Sequence, residues 1–146
     1  MKLHNRMKIE LMSLPENVGL ARIAVAAFAS ECNFDVGELE EIKVAVSEAV
    51  SNAIVHGYQR DANGVITLTA TLQDNVLEIV VEDEGRGIAD LEQALEPGSA
   101  DDPERMGLGF VFMKSFMDEV DVASEPGRGT RVRMIKKIPR NPQAEN

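Results

Sequence analysis

Cysteine is nearly absent from this chain, basic charge is outweighed, and no long apolar run occurs. The one cysteine, Cys32, has no second thiol to pair with, so the core must hold without disulfides. It falls in an apolar helical run and reads as a core thiol, the alternative being a reactive one. Its solitude fits a reducing cytoplasm. No stretch approaches the roughly 18 apolar residues that a membrane-spanning helix needs. After Met1-Lys2 the chain alternates instead of running apolar, which speaks against a secretory signal peptide. Lys and Arg number 15 against 25 Asp and Glu, a net charge of −10. That balance argues against direct binding to DNA or RNA, for which a basic face supplies most of the affinity. It leaves simple solubility or a basic partner. A Gly-x-x-x-x-Gly-Lys-Ser/Thr run is also missing, so a nucleotide site here is not a P-loop. There is no internal repeat and no low-complexity tract.

The 146 residues suit one domain, which at this size buries roughly 68–70% of its unfolded surface. Residues 1–138 are expected to form it, with 139–146 a disordered tail. Met7 to Leu14 alternates as a half-buried strand. Glu16 to about Cys32 reads as a helix with Leu20, Ile23, Ala24, Ala27 and Phe28 inward. Asp35 and Glu38 form a capping-box-like start to a second helix. That helix turns Leu39, Ile42, Val46, Ala49, Val50 and Ala53 inward and stops at Gly57. Residues 65–72 and 76–82 read as strands joined by a tight hairpin at Gln73-Asp-Asn75. From Glu84 to Met106 no periodicity holds, and Glu82 to Glu104 carries nine acidic residues against one basic, Arg86. An irregular stretch of that length in a compact domain is usually functional or disordered. A third helix follows from Gly107 to about Met117, then strands at 121–124 and 130–135 around the turn Glu125-Pro-Gly-Arg-Gly129. This order implies an α+β two-layer sandwich, with helices packed on one face of a mixed, largely antiparallel sheet.

Chemistry concentrates in Ser47-Glu-Ala-Val-Ser-Asn-Ala-Ile-Val-His-Gly57. Glu48 and Asn52 are four residues apart in an otherwise apolar helical stretch, so their head groups share a face. A carboxylate among Val44, Ala45, Ala49 and Val55 is costly unless it has a partner, a metal or a task. Asp83 ends a strand and is followed by Gly85 and Gly87, where backbone can approach a flat ligand and a carboxylate can accept from an exocyclic amine. An ordinary Asp-Gly turn is the plainer reading. Gly107-Leu108-Gly109 opens a helix whose free N–H groups suit phosphate, or it is a hinge. Arg105 is placed to reach a terminal phosphate, or else pairs with the acids of the loop. His56 lies one turn beyond Asn52 and either joins the site or packs and caps the helix end. His4 has no assigned role.

Taken together, Glu48-x-x-x-Asn52, Asp83-x-Gly-x-Gly87, Gly107-x-Gly109 and Gly127-x-Gly-Thr130 resemble the Bergerat-fold (GHKL) ATP-binding family. Gyrase-type ATPases, Hsp90 and MutL proteins and histidine kinases share that fold. Ser-Glu-Ala-Val-Ser-Asn-Ala-Ile-Val-His-Gly-Tyr (47–58) and Phe-Met-Asp-Glu-Val (116–120) are similar to the small bacterial anti-sigma serine kinases, the sporulation branch above all. The resemblance spans residues 7 to 138. It implies that Asn52 ligates Mg²⁺ bridging the ATP phosphates and that Glu48 is the general base for a protein serine hydroxyl. It implies that Asp83 holds the adenine amine, with Gly85, Gly87 and Thr130 around it. Residues 88–106 would be a lid with Arg105 near the γ-phosphate, and Gly107, Leu108 and Gly109 would donate backbone N–H groups to phosphate.

The resemblance further implies an ATP/ADP-dependent protein serine kinase that binds and inhibits a sporulation sigma factor of the sigma-F type. It would phosphorylate an anti-anti-sigma protein on serine and act as a cytoplasmic homodimer, with no nucleic acid and no membrane as partner. A general-stress anti-sigma kinase and a nucleotide-dependent binding module without kinase activity are the competing readings. The lid departs from the family pattern, lacking a glycine-rich run and carrying the acidic Ser99-Ala-Asp-Asp-Pro103. The absence of a phosphoacceptor-histidine helix before the domain, or of a coupled domain after it, is expected to separate the chain from histidine kinases, gyrases and chaperones.

Overall fold

The computed structural model describes residues 3–96 and 106–139. The alternating segments become strands β1 (Leu3–Met12), β2 (Val65–Gln73), β3 (Val76–Asp83), β4 (Glu119–Glu125) and β5 (Gly129–Lys137). They form one sheet in the order β1-β2-β3-β5-β4. All four pairings are antiparallel, so no parallel pair is mixed in. The β2–β3 turn places Asp74 and Asn75 at φ 53° and 62°. Left-handed backbone at both central residues is what a tight hairpin with right-twisted strands requires.

Period-2 patterning sets the faces of the sheet. Ile66, Leu68, Ala70 and Leu72 of β2, with Leu77, Ile79 and Val81 of β3, point into the core. The opposite face is polar, and there Arg133 bridges Glu78 at 2.7 Å and Asp121 at 3.0 Å. Helices α1 (Glu16–Ala29), α2 (Val36–Asn52) and α4 (Met106–Phe116) supply the second layer. α2 packs between α1 and α4. Its start is a full capping box: Asp35 accepts from the Glu38 N–H at 2.7 Å, and Glu38 accepts from the Asp35 N–H at 3.1 Å.

The inward face of α1 differs from expectation. α1 buries Ala21, Val25 and Ala29, while Leu20 and Ile23 are 52% and 64% exposed. A stripe of small residues lets α1 lie close to α2, which turns the larger side chains outward. Cys32 falls in the turn after α1 and is half-buried against the core. Burial, and secondarily Glu31, push its thiol up and away from the reactive thiolate.

The second helix also ends differently. Its α-helical hydrogen bonding stops at Asn52, and Ala53–Gly57 form a π turn. The Tyr58 N–H reaches five residues back to the Ala53 carbonyl at 2.9 Å. Inside the segment read as an irregular loop, a short helix α3 (Leu91–Leu95) starts on an Asp90 cap. Of the predicted tail, 139–146, all but Pro139 lies outside the described residues.

Candidate nucleotide site

The face of α2 that meets α4 carries Glu48 and Asn52, and the glycine spacing of α4 explains how they fit. A Cβ on Gly109 would lie 2.8 Å from Glu48 Oε2 and 3.5 and 3.6 Å from the two polar atoms of the Asn52 amide. A residue without a side chain lets the first turn of α4 close over both head groups without displacing the Glu48 carboxylate. Burial alone raises the Glu48 carboxyl above its ordinary value. That is the desolvation effect expected of a carboxylate with no cation beside it among the described residues. Asn52 Nδ2 is buried and, among the described residues, has no hydrogen-bond partner. Such an atom costs about 1–3 kcal/mol if it stays unsatisfied.

Asp83 is built the opposite way. It ends β3, is 9% exposed, and lies against Gly57, where a Cβ would meet all three carboxyl atoms within 2.9 Å. The Gly85 N–H donates to Asp83 Oδ1 at 2.9 Å. Burial raises this carboxyl, and the backbone donors of Gly85 and Thr130 pull it partly back. Backbone approaches backbone closely here. A Cβ on Gly85 would sit 2.1 Å from the Gly57 oxygen, and one on Gly129 2.0 Å from the Asp83 oxygen. Gly87, at φ +74°, passes equally close to the Glu125 carbonyl. Tyr58 braces this end: its hydroxyl donates to the Val65 carbonyl at 2.6 Å and accepts the Glu84 N–H at 2.7 Å.

Between the two ends runs a cleft of about 780 Å³, within the range of small-ligand sites. Asn52, Asp83, Gly87 and Thr130 line it, with His56, Val81, Ile88, Phe110 and Val132 among its other walls. Glu48, Gly85, Gly107, Leu108 and Gly109 are not in that lining. Glu48 and Gly109 stand beside Asn52, Gly85 supports Asp83, and Gly107 and Leu108 fall in the first turn of α4. Arg105 lies outside the described residues, as does the acidic stretch Ser99-Ala-Asp-Asp-Pro103 of the predicted lid. The cleft also draws on residues that the motifs did not single out: Gln59, Arg60, Gln93 and Arg86. Gln59 and Arg60 hold left-handed backbone, φ 51° and 67°, a conformation that is uncommon for such residues. Their sequence offers no glycine or asparagine to signal it.

This arrangement has known counterparts. Residues 11–136 match the family model described as histidine kinase-like ATPase domain. The anti-sigma F factor of Clostridium acetobutylicum is 47% identical over 138 residues, covering 93% of this chain and 96% of that protein. Among solved structures, the RsbU and RsbW domains of a Mycobacterium tuberculosis protein align with a TM-score of 0.65 at 22% identity. That alignment covers 92% of this chain and 32% of the other. The catalytic domain of the histidine kinase ThkA aligns with a TM-score of 0.56 at 14% identity, covering 92% and 97%. At those identities the structures speak for the fold, and the sequence matches speak for kinship. The chain belongs to the histidine kinase-like ATPases and, within them, to the anti-sigma F factor family.

Proposed function

We propose that the chain is an ATP-dependent protein serine kinase and anti-sigma factor: it binds and inhibits a sporulation sigma factor, sigma-F, and phosphorylates an anti-anti-sigma protein. The observation that carries this reading is the convergence of Glu48 and Asn52 under Gly109, at one end of a cleft whose other end holds Asp83. Asp83 accepts the exocyclic amine of adenine, with Gly87 and Thr130 beside it. The first turn of α4 offers backbone N–H groups to the phosphates. Glu48, its carboxyl raised by burial, takes the proton as a serine oxygen of the partner attacks the γ-phosphorus. The bond to the ADP oxygen breaks and ADP leaves. Little covalent help is needed in such a transfer, so positioning and charge dominate.

Magnesium fits the residues present. Asn52 lines the cleft and carries an amide oxygen, the hard donor that Mg²⁺ takes, whereas its Nδ2 is a hydrogen-bond donor and no metal ligand. No three acidic, His or Cys side chains cluster among the described residues. A Mg²⁺ ion would therefore rest on Asn52 and the nucleotide phosphates, its usual style of binding. It would supply neutralisation of the phosphate charge.

The kinship with anti-sigma factors supports a cytoplasmic setting, and none of the described helices is long and apolar enough to cross a membrane. A homodimer is supported by β1, a ten-residue strand at the sheet edge with one paired side. The deciding experiment is transfer of γ-labelled phosphate from ATP to a purified anti-anti-sigma protein, beside binding of the sporulation and general-stress sigma factors. Label on the partner and preference for the sporulation sigma factor are expected. Binding without label would mean a module that is not a kinase, and preference for the other sigma factor would mean a general-stress regulator.

A further inference from the structure

Arg86 is tethered at three points around the Asp83 end of the cleft. Its N–H donates to the Gly57 carbonyl at 2.9 Å, and its own carbonyl accepts from the Gly127 N–H at 2.7 Å. Its side-chain Nε donates to the His56 carbonyl at 2.8 Å. Two successive carbonyls at the end of the π turn thus hold both the backbone and the head group of one residue. Gly57, which holds that backbone, is also the residue against which the Asp83 carboxylate rests. The guanidinium therefore belongs to the Asp83 end, while Glu48 and Asn52 stand at the α4 end.

The anchoring uses Nε alone. The two terminal nitrogens make no hydrogen bond or ion pair among the described residues, although Arg86 lines the cleft. Ile88 and Pro126 line it too, so apolar groups accompany the arginine. A guanidinium fixed at Nε keeps its plane and presents a flat, weakly hydrated face, which stacks well on aromatic rings. The same stacking of Arg planes on unpaired bases recurs in nucleic-acid recognition.

Resting on the reading of this cleft as an adenine nucleotide site, we propose that Arg86 is a base-recognition residue. Its guanidinium stacks on the purine whose amino group Asp83 accepts, so its contribution belongs to the base and not to the phosphates. Charge alone would not suffice: a lysine carries the same charge but lacks both the plane and the Nε–H that orients it.

Titration of the full-length protein with adenosine and with ADP, at low and high salt, separates the possibilities. Arg86→Ala and Arg86→Lys are expected to weaken adenosine and ADP by the same factor, about tenfold, with little dependence on salt. Loss confined to ADP, with Lys restoring it, would place the guanidinium on the phosphates and overturn the proposal. So would unchanged adenosine affinity, including the case in which only the melting temperature of the ligand-free variant falls. Asp83→Asn is the control for the underlying reading. If it weakens adenosine while Arg86→Ala does not, the cleft holds adenine without Arg86. If the unaltered protein binds neither ligand, the nucleotide reading itself fails.

Discussion

Asp83 and Glu48 flank one cleft, and burial pushes both carboxyls above their ordinary range. Asp83 ends a strand, rests on Gly57, and is held by backbone donors from Gly85 and Thr130. Glu48 projects from a helix, half-buried, and burial is the one influence that shifts it. Glycines stand behind both, but with different consequences. Around Asp83 they let backbone touch backbone, whereas Gly109 makes room for the movable end of a side chain. A carboxylate fixed by its surroundings can recognise a ligand repeatedly without reorganising. A carboxylate that is desolvated and unheld is instead suited to accept a proton. In the proposed function, recognition and chemistry would thus fall at opposite ends of the cleft according to how tightly each group is held.

Replacing the unheld group tests that division most sharply. Glu48→Gln should lower phosphoryl transfer by about 10²–10⁴, the usual worth of a positioned base, while ATP still binds. Unchanged label transfer would remove Glu48 from the mechanism. The two glycines come next. At Gly85 an added methyl meets backbone, so Gly85→Ala should cost about 3 kcal/mol in a denaturant melt, high in the overpacking range. Gly109→Ala crowds the tip of Glu48 and makes ordinary contact with the Asn52 amide, so stability should hold while transfer falls by about 10²-fold, the penalty of a misplacement near 1 Å. Equal melting losses in both variants would erase the contrast.

Binding should split in the same way. Asp83→Asn is expected to weaken ATP and adenosine alike by about 10- to 100-fold, as for loss of a charged hydrogen-bond acceptor. Asn52→Ala should instead weaken ATP only when magnesium is present. Wild-type affinity of that variant for Mg·ATP would sink the ligand role. The smallest effect concerns pH. With both folded-state values raised, the native chain binds more protons than the unfolded chain between the ordinary and the raised values. That stabilisation is fully present below the ordinary values of 3.8 and 4.5 and is lost as pH rises through the raised ones. The melting temperature of Glu48→Gln or Asp83→Asn should therefore fall less than that of the unaltered chain from mildly acidic to neutral pH. Parallel melting curves would show that burial strains neither group.

Much of this division was legible in the residues themselves. Strand alternation and the Asp35–Glu38 cap located β2, β3 and the start of α2, because period and capping are local properties. Glu48, Asn52 and Asp83 stood out as polar groups in apolar surroundings. The end of α2 did not. Over a single turn, bonding to the fifth residue back leaves the same apolar pattern as bonding to the fourth, so Ala53–Gly57 read as α-helix. α3 was hidden by its length, five residues being too few to show a period. Gln59, Arg60 and Arg86 reach the cleft through loop geometry, which no spacing rule encodes.

The chain has no tryptophan and a single tyrosine, and that tyrosine is the brace between β2 and the end of β3. The hydroxyl of Tyr58 holds the N–H of Glu84, the residue immediately after Asp83. Emission excited at the tyrosine absorption band therefore originates beside the Asp83 carboxylate. Whatever enters that end of the cleft writes its arrival into the fluorescence of one phenol, with no label attached.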